Sequence, residues 1–345
     1  MADRRMFIRN MVLTGMGISV ADKISAHAAE YGKTEGKRIG MIGLDTGHCA
    51  AFTKSINGSP EEFNGYKITA AYPKGTENII EWKERIPQIT EEVRQYGVKI
   101  VDSIPALLEQ VDAVILTCID GNMHLEQAIP VLKAGKPLFI DKPVSASLAD
   151  TIAIFEVAKH YKTPVFSCSS LRYMASVQEV ISGKSGKIVG AEAYSPAIIE
   201  KTHPDFFWYG IHGVEILYAV MGAGCEKLSR THTTGTDLVV GVWKDGRIGT
   251  FRGTRTGIHS YGGIAYGEKG DTVLGPYDGY ESMLKAVTLF FRSGQSPIEE
   301  EVTMEICAFM EAADKSKSLG SKQVSLNEVW GRGKAEAFKK LKSII

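Results

Sequence analysis

The sequence predicts an α/β protein, in which a doubly wound parallel sheet is followed by an α+β domain with a largely antiparallel, open sheet. Three observations predict this order. Short apolar strands alternate with helical segments through the first half of the chain. The run at 112–118 is apolar almost throughout, which is typical of a strand buried on both faces of a parallel sheet. In the second half, strand-like segments follow one another through turns such as 244–246, which favours antiparallel pairing.

The first half contains strand-like segments at 37–43, 66–72, 99–102, 112–118, 137–140 and 163–168. Helical segments are predicted between them at 48–57, 79–96, 104–109, 124–134 and after Ser147. Pro87 interrupts the second helical segment, Gly135 is a good stop for the fourth, and Ser147 is a good amino-terminal cap. This order predicts a Rossmann dinucleotide-binding domain at residues 37–168.

The second domain is expected at 169–345. Its strands are predicted at 188–194, 237–242, 248–252 and 257–266, and its helices at 214–221 and 302–317. These helices would cover one face of the sheet. We expect this domain to bind the substrate.

Composition excludes several classes of function. The 345 residues include 40 Lys plus Arg and 40 Asp plus Glu, a balance that gives no support for nucleic acid or an anionic membrane as a partner. No apolar run approaches the roughly 20 residues that span a bilayer. The cysteines form no CxxC pair, so neither a zinc site nor a disulfide scaffold is predicted. Each is expected to be a small buried hydrophobic residue: Cys49, Cys118, Cys168, Cys225 and Cys307.

Residues 1–28 have the features of a cleavable export signal. Arg4-Arg5 stands in a context that resembles the twin-arginine motif, a mildly apolar stretch follows at 11–21, and Ala26-His27-Ala28 is a small-residue cleavage site. A polar linker is expected at 29–36. The segment predicts a periplasmic protein that folds before export, and the alternative is a cytoplasmic protein with a basic amphipathic start.

The loop after the first strand is a degenerate dinucleotide fingerprint. In G-x-G-x-x-G, bare backbone lets a pyrophosphate approach a helix N-terminus. Here Gly43 holds the first position, whereas Asp45 and His48 occupy the second and third. Because a carboxylate that points at phosphate is repulsive, we expect Asp45 to turn away and cap the following helix. Thr46 and backbone amides would then face the anion.

A second departure lies after the second strand. Residues 72–75 (Tyr-Pro-Lys-Gly) stand where an acidic residue normally holds the adenosine ribose. Lys74 therefore either faces a 2′-phosphate or is solvated. The sequence leaves both interpretations open, and with them the choice between NAD and NADP.

A longer pattern runs from the fourth strand into the loop after the fifth. Its elements are Asp112-Ala113-Val114, His124, Ala134-Gly135-Lys136 and Asp141-Lys142-Pro143. In this order and spacing they resemble the Gfo/Idh/MocA family of glucose–fructose oxidoreductases and inositol dehydrogenases, with Asp141 in place of the usual Glu. The resemblance continues to the carboxyl terminus and covers nearly the whole mature chain.

The resemblance implies a hydride-transferring enzyme with Lys142 at its centre. The matching lysine of the family contacts the reacting hydroxyl or carbonyl and helps to move its proton. An ammonium beside a nicotinamide would stabilise a developing alkoxide, and burial can tune its pKa. The residues expected to bind NAD or NADP are Gly43, Asp45, Thr46, His48, Lys74, His124, Asp141 and Lys142.

His212 is the second catalytic candidate. The family usually carries D-x-G-x-H at the start of a helix, and here the Gly and His match but Trp208 replaces the Asp. Asp205, His203 or Glu215 could replace that Asp as the partner of His212. His212 and Glu215 lie one turn apart, but no third ligand is evident, so no metal is predicted. The residues expected to bind the substrate are Lys142, Arg172, Asp205, Trp208, Tyr209 and His212.

The leading interpretation is a nicotinamide-dependent oxidoreductase that transfers hydride to or from a sugar, polyol or glycoside. Because a periplasm lacks a free nicotinamide pool, the cofactor is expected to be tightly held. Two alternatives stay open: a redox-assisted glycosidase or lyase that would also use Lys142 and His212, and a non-catalytic carbohydrate-binding protein. Aromatic residues at 206–209 and at 261–280 could stack on a sugar ring or pack the sheet domain. The resemblance also implies a homo-oligomer built on the open sheet.

Overall fold

The structure, a computed structural model, describes residues 37–345. The predicted export signal at 1–28 and the linker at 29–36 lie outside the described residues. The described part of the chain is built around two sheets. None of its helices is long and apolar enough to cross a membrane.

The first sheet is the doubly wound sheet that the sequence predicted. Its strands are β1 (Arg38–Ile42), β2 (Lys67–Tyr72), β3 (Lys99–Ile100), β4 (Ala113–Leu116), β5 (Leu138–Asp141) and β6 (Val165–Cys168). They lie in the order β3-β2-β1-β4-β5-β6, and every neighbouring pair is parallel. β4 and β5 are buried along their whole length, which explains the unbroken apolar character of their sequences.

Helices connect these strands: α1 (Gly47–Gly58), α2 (Ile80–Lys83), α3 (Ile86–Arg94), α4 (Ile104–Leu108), α5 (His124–Lys133) and α6 (Leu148–His160). Thr46, Ser103 and Ser147 have extended backbones, and their hydroxyls accept first-turn amide hydrogen bonds at α1, α4 and α6. Pro87 lies in the first turn of α3, where a missing N–H costs nothing. The predicted helix at 79–96 is therefore two helices, α2 and α3.

The second sheet has the strands β7 (Ile188–Pro196), β8 (Cys225–His232), β9 (Thr236–Trp243), β10 (Ile248–Thr254), β11 (Gly262–Gly267), β12 (Thr272–Leu274) and β13 (Val324–Ser325). They lie in the order β12-β11-β7-β10-β9-β8-β13. β7 and β10 are parallel, and the other neighbours are antiparallel. The predicted largely antiparallel sheet is thus confirmed, with one parallel pair near its centre.

The second half also contains α7 (Ala175–Ile181), α8 (Ile211–Met221), α9 (Glu281–Ser293), α10 (Glu300–Ser318) and α11 (Leu326–Leu341). α8 and α10 pack on one face of the second sheet, while α10 and α11 also pack against α6. α9 returns to the first sheet, where Met283, Val287 and Phe290 share a core with Phe52 and Phe166. The division of the chain at residue 168 stays a prediction, because carboxyl-terminal helices complete the layers of the first domain.

The other face of the second sheet is exposed and carries both aliphatic and charged side chains. Ile248 and Val273 leave 53% and 71% of their surface accessible. Ile248 lies opposite Val242 of β9, and Val273 lies opposite Ile264 of β11. Burial alternates along β9 and β10, because every second side chain packs beneath α8 and α10. We call the exposed side the open face of the sheet.

Candidate active site

The carboxyl ends of the parallel strands form one edge of the first sheet, which is where ligands of doubly wound domains lie. Lys142 follows β5 at this edge. The Nζ of Lys142 lies 5.9 Å from the ring centroid of Tyr209, which comes from the second half of the chain. The edge therefore faces side chains from the second half of the chain, and we call the region between the two the cleft.

Gly43 makes the turn that ends β1. Its φ of 83° lies in the left-handed region, and its amide donates to the Tyr72 carbonyl at 2.9 Å. A Cβ at this position would lie 2.6 Å from the backbone of Cys118 in the loop after β4. We expected glycine here for the approach of pyrophosphate, but the turn and the contact with Cys118 already require it.

Asp45 turns away from the helix N-terminus, as the sequence predicted, but it does not cap α1. Its buried carboxylate accepts hydrogen bonds from the amides of Thr76 at 2.6 Å and Ile119 at 2.9 Å. Burial raises the pKa of Asp45, and these two amides oppose the rise. Thr46 is the cap instead, with its hydroxyl accepting from the His48 amide at 3.4 Å. Asp45 therefore ties together the loops after β1, β2 and β4.

The departure at Asp45 explains the departure after β2. A Cβ added to Gly75 would lie 1.9 Å from Oδ2 of Asp45, so no larger residue fits beside this carboxylate. The loop after β2 thus has a glycine that accommodates Asp45. The two deviations from the fingerprint are parts of one arrangement.

The residues at this edge fit a dinucleotide. Gly47, the first residue of α1, is exposed, and a Cβ there would meet no atom within 4 Å. Open space in front of a helix N-terminus accommodates a pyrophosphate. Lys74 is exposed in the loop after β2, the strand whose end lies near the adenosine ribose in Rossmann domains. The Asp45 carboxylate is turned into the protein and leaves this space free.

Lys142 and Asp141 form the centre of the site together with His48. The Nδ1 of His48 lies 2.5 Å from Oδ2 of Asp141. Burial lowers the pKa of Lys142, although the neighbouring Asp141 opposes this. Burial alone would raise the pKa of Asp141, but His48 and Lys142 hold it below its usual value. The arrangement favours an ionised Asp141 beside an amine that loses its proton more readily than a free lysine.

His212 lies at the start of α8, and its hydrogen-bond partner is one that the sequence did not reveal. Ser169, which follows β6, has its Oγ 2.7 Å from Nδ1 of His212. Burial, with the charges of Lys142 and His48, lowers the pKa of His212 well below its usual value. His212 is therefore a neutral imidazole near neutral pH. A serine at the carboxyl end of a parallel strand was the signal that could have identified this partner.

The three partners proposed for His212 are engaged elsewhere. Glu215 accepts a hydrogen bond from Nε of the buried Arg172. Asp205 lies 2.6 Å from Arg230 and 2.7 Å from Lys317. His203 contacts Thr202 and lies 3.3 Å from Asp120. None of these contacts joins one of the three to His212.

A π-type turn precedes α8 and presents the ring of Tyr209 to the cleft. The turn spans Phe206–Gly210, and such turns occur frequently at functional sites. Tyr209 directs its hydroxyl to that of Tyr261 at 2.8 Å, and His212 packs edge-on against both rings. Tyr277 and Tyr280 continue this series of rings as far as His48. We call these four tyrosines the tyrosine arc.

Trp208 points away from Tyr209 and His212, and its ring connects the two halves of the chain. Its ring centroid lies 5.1 Å from that of His203 and 6.1 Å from that of Trp82 on α2. In the loop after β4, Asn122 donates to the Thr202 carbonyl at 3.2 Å. The segment 202–208 therefore reaches the loops after β2 and β4, which flank β1. We call it the crossing segment.

The remaining predicted residues have structural contacts. His124 is buried, with Nε2 2.6 Å from the Cys118 carbonyl and Nδ1 3.2 Å from the Val144 carbonyl, and so it joins the loops after β4 and β5. Arg172 is buried in its pair with Glu215. The structure thus brings Lys142, Asp141, His48, Tyr209 and His212 together, and it places Asp205, Arg172 and His124 in supporting contacts. Within residues 37–345, no cluster of His, Cys, Asp or Glu side chains could hold a metal ion.

Solved structures share this fold. A probable dehydrogenase from Thermotoga maritima aligns with a TM-score of 0.66 at 21% identity, over 85% of this chain and 99% of that one. The apo scyllo-inositol dehydrogenase from Lactobacillus casei aligns with a TM-score of 0.68 at 17% identity, over 86% and 100%. A putative myo-inositol dehydrogenase from Sinorhizobium meliloti 1021 gives a TM-score of 0.68 at 16% identity, over 84% and 100%.

Sequence comparison identifies the first domain. The uncharacterized oxidoreductase YhhX of Escherichia coli (strain K12) is 26% identical over 122 residues, which are 31% of this chain and 35% of that protein. The chain thus matches about a third of that relative's length. Residues 37–168 match the Gfo/Idh/MocA profile, described as an oxidoreductase family with an NAD-binding Rossmann fold. Over residues 37–168, the chain is therefore similar to the NAD-binding Rossmann domain of the Gfo/Idh/MocA oxidoreductases.

Proposed function

We propose that this protein transfers hydride between a nicotinamide cofactor and a CH–OH carbon of a sugar, polyol or glycoside, with Lys142 and His212 as its acid–base residues. The observation that carries the proposal is the position of these two groups. Both lie in one tyrosine-lined cleft at the carboxyl edge of the first sheet, and the pKa of each is lowered, mainly by burial. Perturbed acid–base groups that converge in a cleft are typical of an active site.

In oxidation of an alcohol, the hydroxyl proton goes to an amine while hydride leaves the same carbon. Lys142 takes that proton in its neutral form and returns it in the reverse reaction. The bound nicotinamide supplies the hydride acceptor or donor. His212, held by Ser169, is neutral and positions the hydroxyl by a hydrogen bond. The Lys142 ammonium that results stabilises the developing negative charge on oxygen.

The cofactor would lie across β1. The amino terminus of α1, with Thr46 and Gly47, would hold the pyrophosphate, and His48 and Asp141 would lie towards the nicotinamide. Lys74 would face the adenosine ribose, where an ammonium favours a 2′-phosphate over a bare hydroxyl. We therefore propose NADP as the preferred cofactor, with NAD as the alternative that the test must separate.

We propose that the cofactor stays bound between turnovers. The crossing segment contacts the loops after β2 and β4, on both sides of the strand over which a dinucleotide would run. Such a segment would hinder release of the whole cofactor while leaving the cleft beside Lys142 for the substrate. A retained cofactor suits an enzyme that the twin-arginine route carries, already folded, to the periplasm.

The proposed substrate class rests on the tyrosine arc. Its rings offer apolar faces and phenolic hydroxyls, a combination that suits the faces and hydroxyls of a sugar or cyclitol. Two of the solved structures with this fold are described as a scyllo-inositol dehydrogenase and a putative myo-inositol dehydrogenase. Cyclitols and sugars are therefore the first compounds to test.

One experiment tests whether the protein binds a nicotinamide cofactor, on which the proposal depends. Protein purified without added nucleotide is denatured, and the released small molecules are identified by mass spectrometry and ultraviolet absorbance. We expect a nicotinamide dinucleotide in near-stoichiometric amount, which the added cyclitol or sugar substrate reduces in the intact protein. If the protein neither retains nor binds NAD or NADP, the proposal is contradicted and the carbohydrate-binding alternative is favoured. Release of a free aglycone from a glycoside would indicate the glycosidase alternative.

A further inference from the structure

The third position of the dinucleotide fingerprint, usually glycine, holds His48, and the structure pairs it with the residue before Lys142. Nδ1 of His48 lies 2.5 Å from Oδ2 of Asp141, within hydrogen-bond distance. The two side chains expose 20% and 7% of their surface. The pair joins the start of α1 to the end of β5, so that it connects the cofactor side of the cleft to its acid–base side.

The orientation of His48 is fixed by its neighbours. Its ring stacks on Phe52 at 5.4 Å between centroids and meets the edge of Tyr280 at 5.0 Å. A cation at a helix N-terminus is unfavourable unless an anion lies beside it. Asp141 is that anion here. The imidazole is therefore held with one nitrogen against a carboxylate that immediately precedes the catalytic lysine.

Charge at Asp141 acts directly on Lys142. An ionised Asp141 favours the ammonium form of Lys142, whereas burial of the lysine opposes that form. The other titratable groups that face this cluster are His203, His212, Tyr209, Tyr280, Cys168 and Glu215. Glu215 is neutralised by Arg172, and the pKa of His212 is lowered, mainly by burial. Asp141 is thus the charge that acts most directly on Lys142, and His48 is its hydrogen-bond partner.

We propose that His48 is a positioning residue which, as an imidazolium paired with Asp141, offsets the negative charge beside Lys142 and so keeps this lysine able to act as a base. The proposal rests on the proposed function of Lys142, but it makes a claim about the charge of three residues that holds without turnover. It also gives a reason for histidine at a position where glycine is usual. A histidine there gives up the close approach of a cofactor to bare backbone, and in exchange it influences the charge state of Lys142.

The signs of the expected effects follow from the charges. Replacing His48 by Asn leaves Asp141 uncompensated, so the ammonium form of Lys142 is favoured and its pKa rises. Replacing Asp141 by Asn removes the anion that favours the ammonium form, so the pKa of Lys142 falls. We expect each shift to be roughly one pH unit, the size typical of one nearby charge. A purely structural role for the pair would not move the two variants in opposite directions.

The test measures Lys142 directly. The pH dependence of its reaction with acetic anhydride, followed by peptide mass spectrometry in protein without substrate, gives its pKa in wild type, H48N and D141N. The matched control is H232N, because His232 pairs with Asp237 at 2.7 Å in the second sheet, far along the chain from Lys142. We expect an upward shift in H48N, a downward shift in D141N and no shift in H232N. Thermal unfolding confirms that each variant is folded, and H48Q replaces H48N if that variant is not.

Shifts in the same direction, or shifts below about 0.3 units in both H48N and D141N, would overturn the proposal. Activity is measured separately, as the pH profile of kcat/KM for alcohol oxidation. If the chemical titration shows opposite shifts but the protein oxidises no alcohol, the charge relation stands and the proposed function fails. If the protein oxidises alcohols but the pKa of Lys142 is the same in all variants, the proposed function stands and the proposed role of His48 is wrong.

Discussion

At the scale of single residues, each departure from the dinucleotide fingerprint has a local partner. Asp45 is matched by the bare backbone of Gly75 and by two amides that its carboxylate accepts from. His48 is matched by Asp141. The loop after β1 therefore has a specific structure of its own, because the side chains that replace glycine form hydrogen bonds with neighbouring loops.

Restoring the usual glycine at Asp45 should weaken the protein. Asp45→Gly leaves the buried amides of Thr76 and Ile119 without their acceptor, and we expect a loss of about 2 to 5 kcal/mol in the free energy of unfolding. Denaturant unfolding measures this loss. The control is Asp102→Gly, at an exposed position. An unfolding free energy for Asp45→Gly within about 0.5 kcal/mol of that control would show that the carboxylate does not join the loops.

The sequence indicated Lys142 and His212, which the structure brings near one another, but it did not reveal their partners. Lys142 and His212 could be identified because a motif marks each of them. Ser169 was not identified, because its place at the end of a strand is visible in the sequence but only the fold shows that it contacts His212. Asp205 was expected near the substrate, but its position beside Arg230 depends on strand pairing that local sequence does not encode. The charged partner of His48 was equally hidden, since 93 residues separate the pair along the chain.

At the scale of elements, the crossing segment is the feature that distinguishes this cleft. Trp208 lies at the position where the family usually has an acidic residue, and its ring contacts His203 and Trp82. The replacement exchanges a charged partner of His212 for a contact between the two halves of the chain. The π-type turn makes this possible, because it directs Trp208 and Tyr209 to different neighbours.

Removing the ring of Trp208 should loosen the cofactor. In Trp208→Ala, the contact with Trp82 is lost, and we expect bound nucleotide to leave during gel filtration at least about 10-fold faster than from wild type, a change of about 1.4 kcal/mol. Absorbance of the eluted protein measures the retained fraction. Trp330→Ala on α11 is the control. Equal retention in both variants would mean that the crossing segment does not hold the cofactor.

A buried charge cluster anchors the start of the π-type turn to the second sheet. Arg230 contacts Asp205, Asp237 and Asp314, and burial together with Asp205 raises the pKa of Asp314 to about 7. A carboxyl whose pKa rises on folding contributes stability that is fully present below its unfolded pKa and is lost as the pH rises through the folded value. Deprotonation of Asp314 between about pH 4 and pH 7 therefore costs stability.

Asp314→Asn should consequently raise the thermal midpoint more at about pH 8 than at about pH 5, because only the wild-type side chain must ionise. Calorimetry at the two pH values measures the difference, which we expect to be roughly 2 to 4 °C. Asp271→Asn, at an exposed position, is the control. If the thermal midpoint of Asp314→Asn is lower than that of wild type at the higher pH, the ionised carboxylate of Asp314 is needed to balance the charge of Arg230.

Most elements of the first sheet could be predicted, whereas several of the second half could not. The apolar strands of a parallel sheet are buried on both faces and stand out in the sequence. β8 was missed because its inward-facing side chains include the charged Arg230, which breaks the apolar alternation. α9 and α11 were also missed. The apolar residues of α9 have helical spacing, so the helix itself could have been predicted from the sequence. Its packing on the first sheet could not.

At the scale of the whole molecule, the open face of the second sheet is the surface best suited to bind a second copy of the chain. Its accessible aliphatic side chains form two pairs of neighbours, Ile248 with Val242 and Val273 with Ile264, and Glu192 lies on the strand between them. We propose a homodimer, the commonest closed assembly, built on this face. Charge at its centre should prevent association.

In Ile248→Asp, a carboxylate would be buried in the dimer interface, and we expect the protein to become monomeric with its thermal midpoint little changed or lowered. Sedimentation velocity distinguishes monomer from dimer. Leu289→Asp is the control, because Leu289 is 48% exposed on α9, which packs on the first sheet. A wild-type protein that is already monomeric, or an Ile248→Asp variant that still associates, would contradict this use of the open face.

The central claim is that the chain moves hydride and that Lys142 moves the accompanying proton. The most direct measurement compares kcat/KM and bound nucleotide in wild type, Lys142→Ala and the control Lys136→Ala, which alters a lysine at the opposite end of β5 from Lys142. We predict that Lys142→Ala loses roughly 100-fold or more of kcat while it keeps its cofactor and its fold. A Lys142→Ala variant that keeps more than about a third of wild-type kcat on an established substrate would contradict the account.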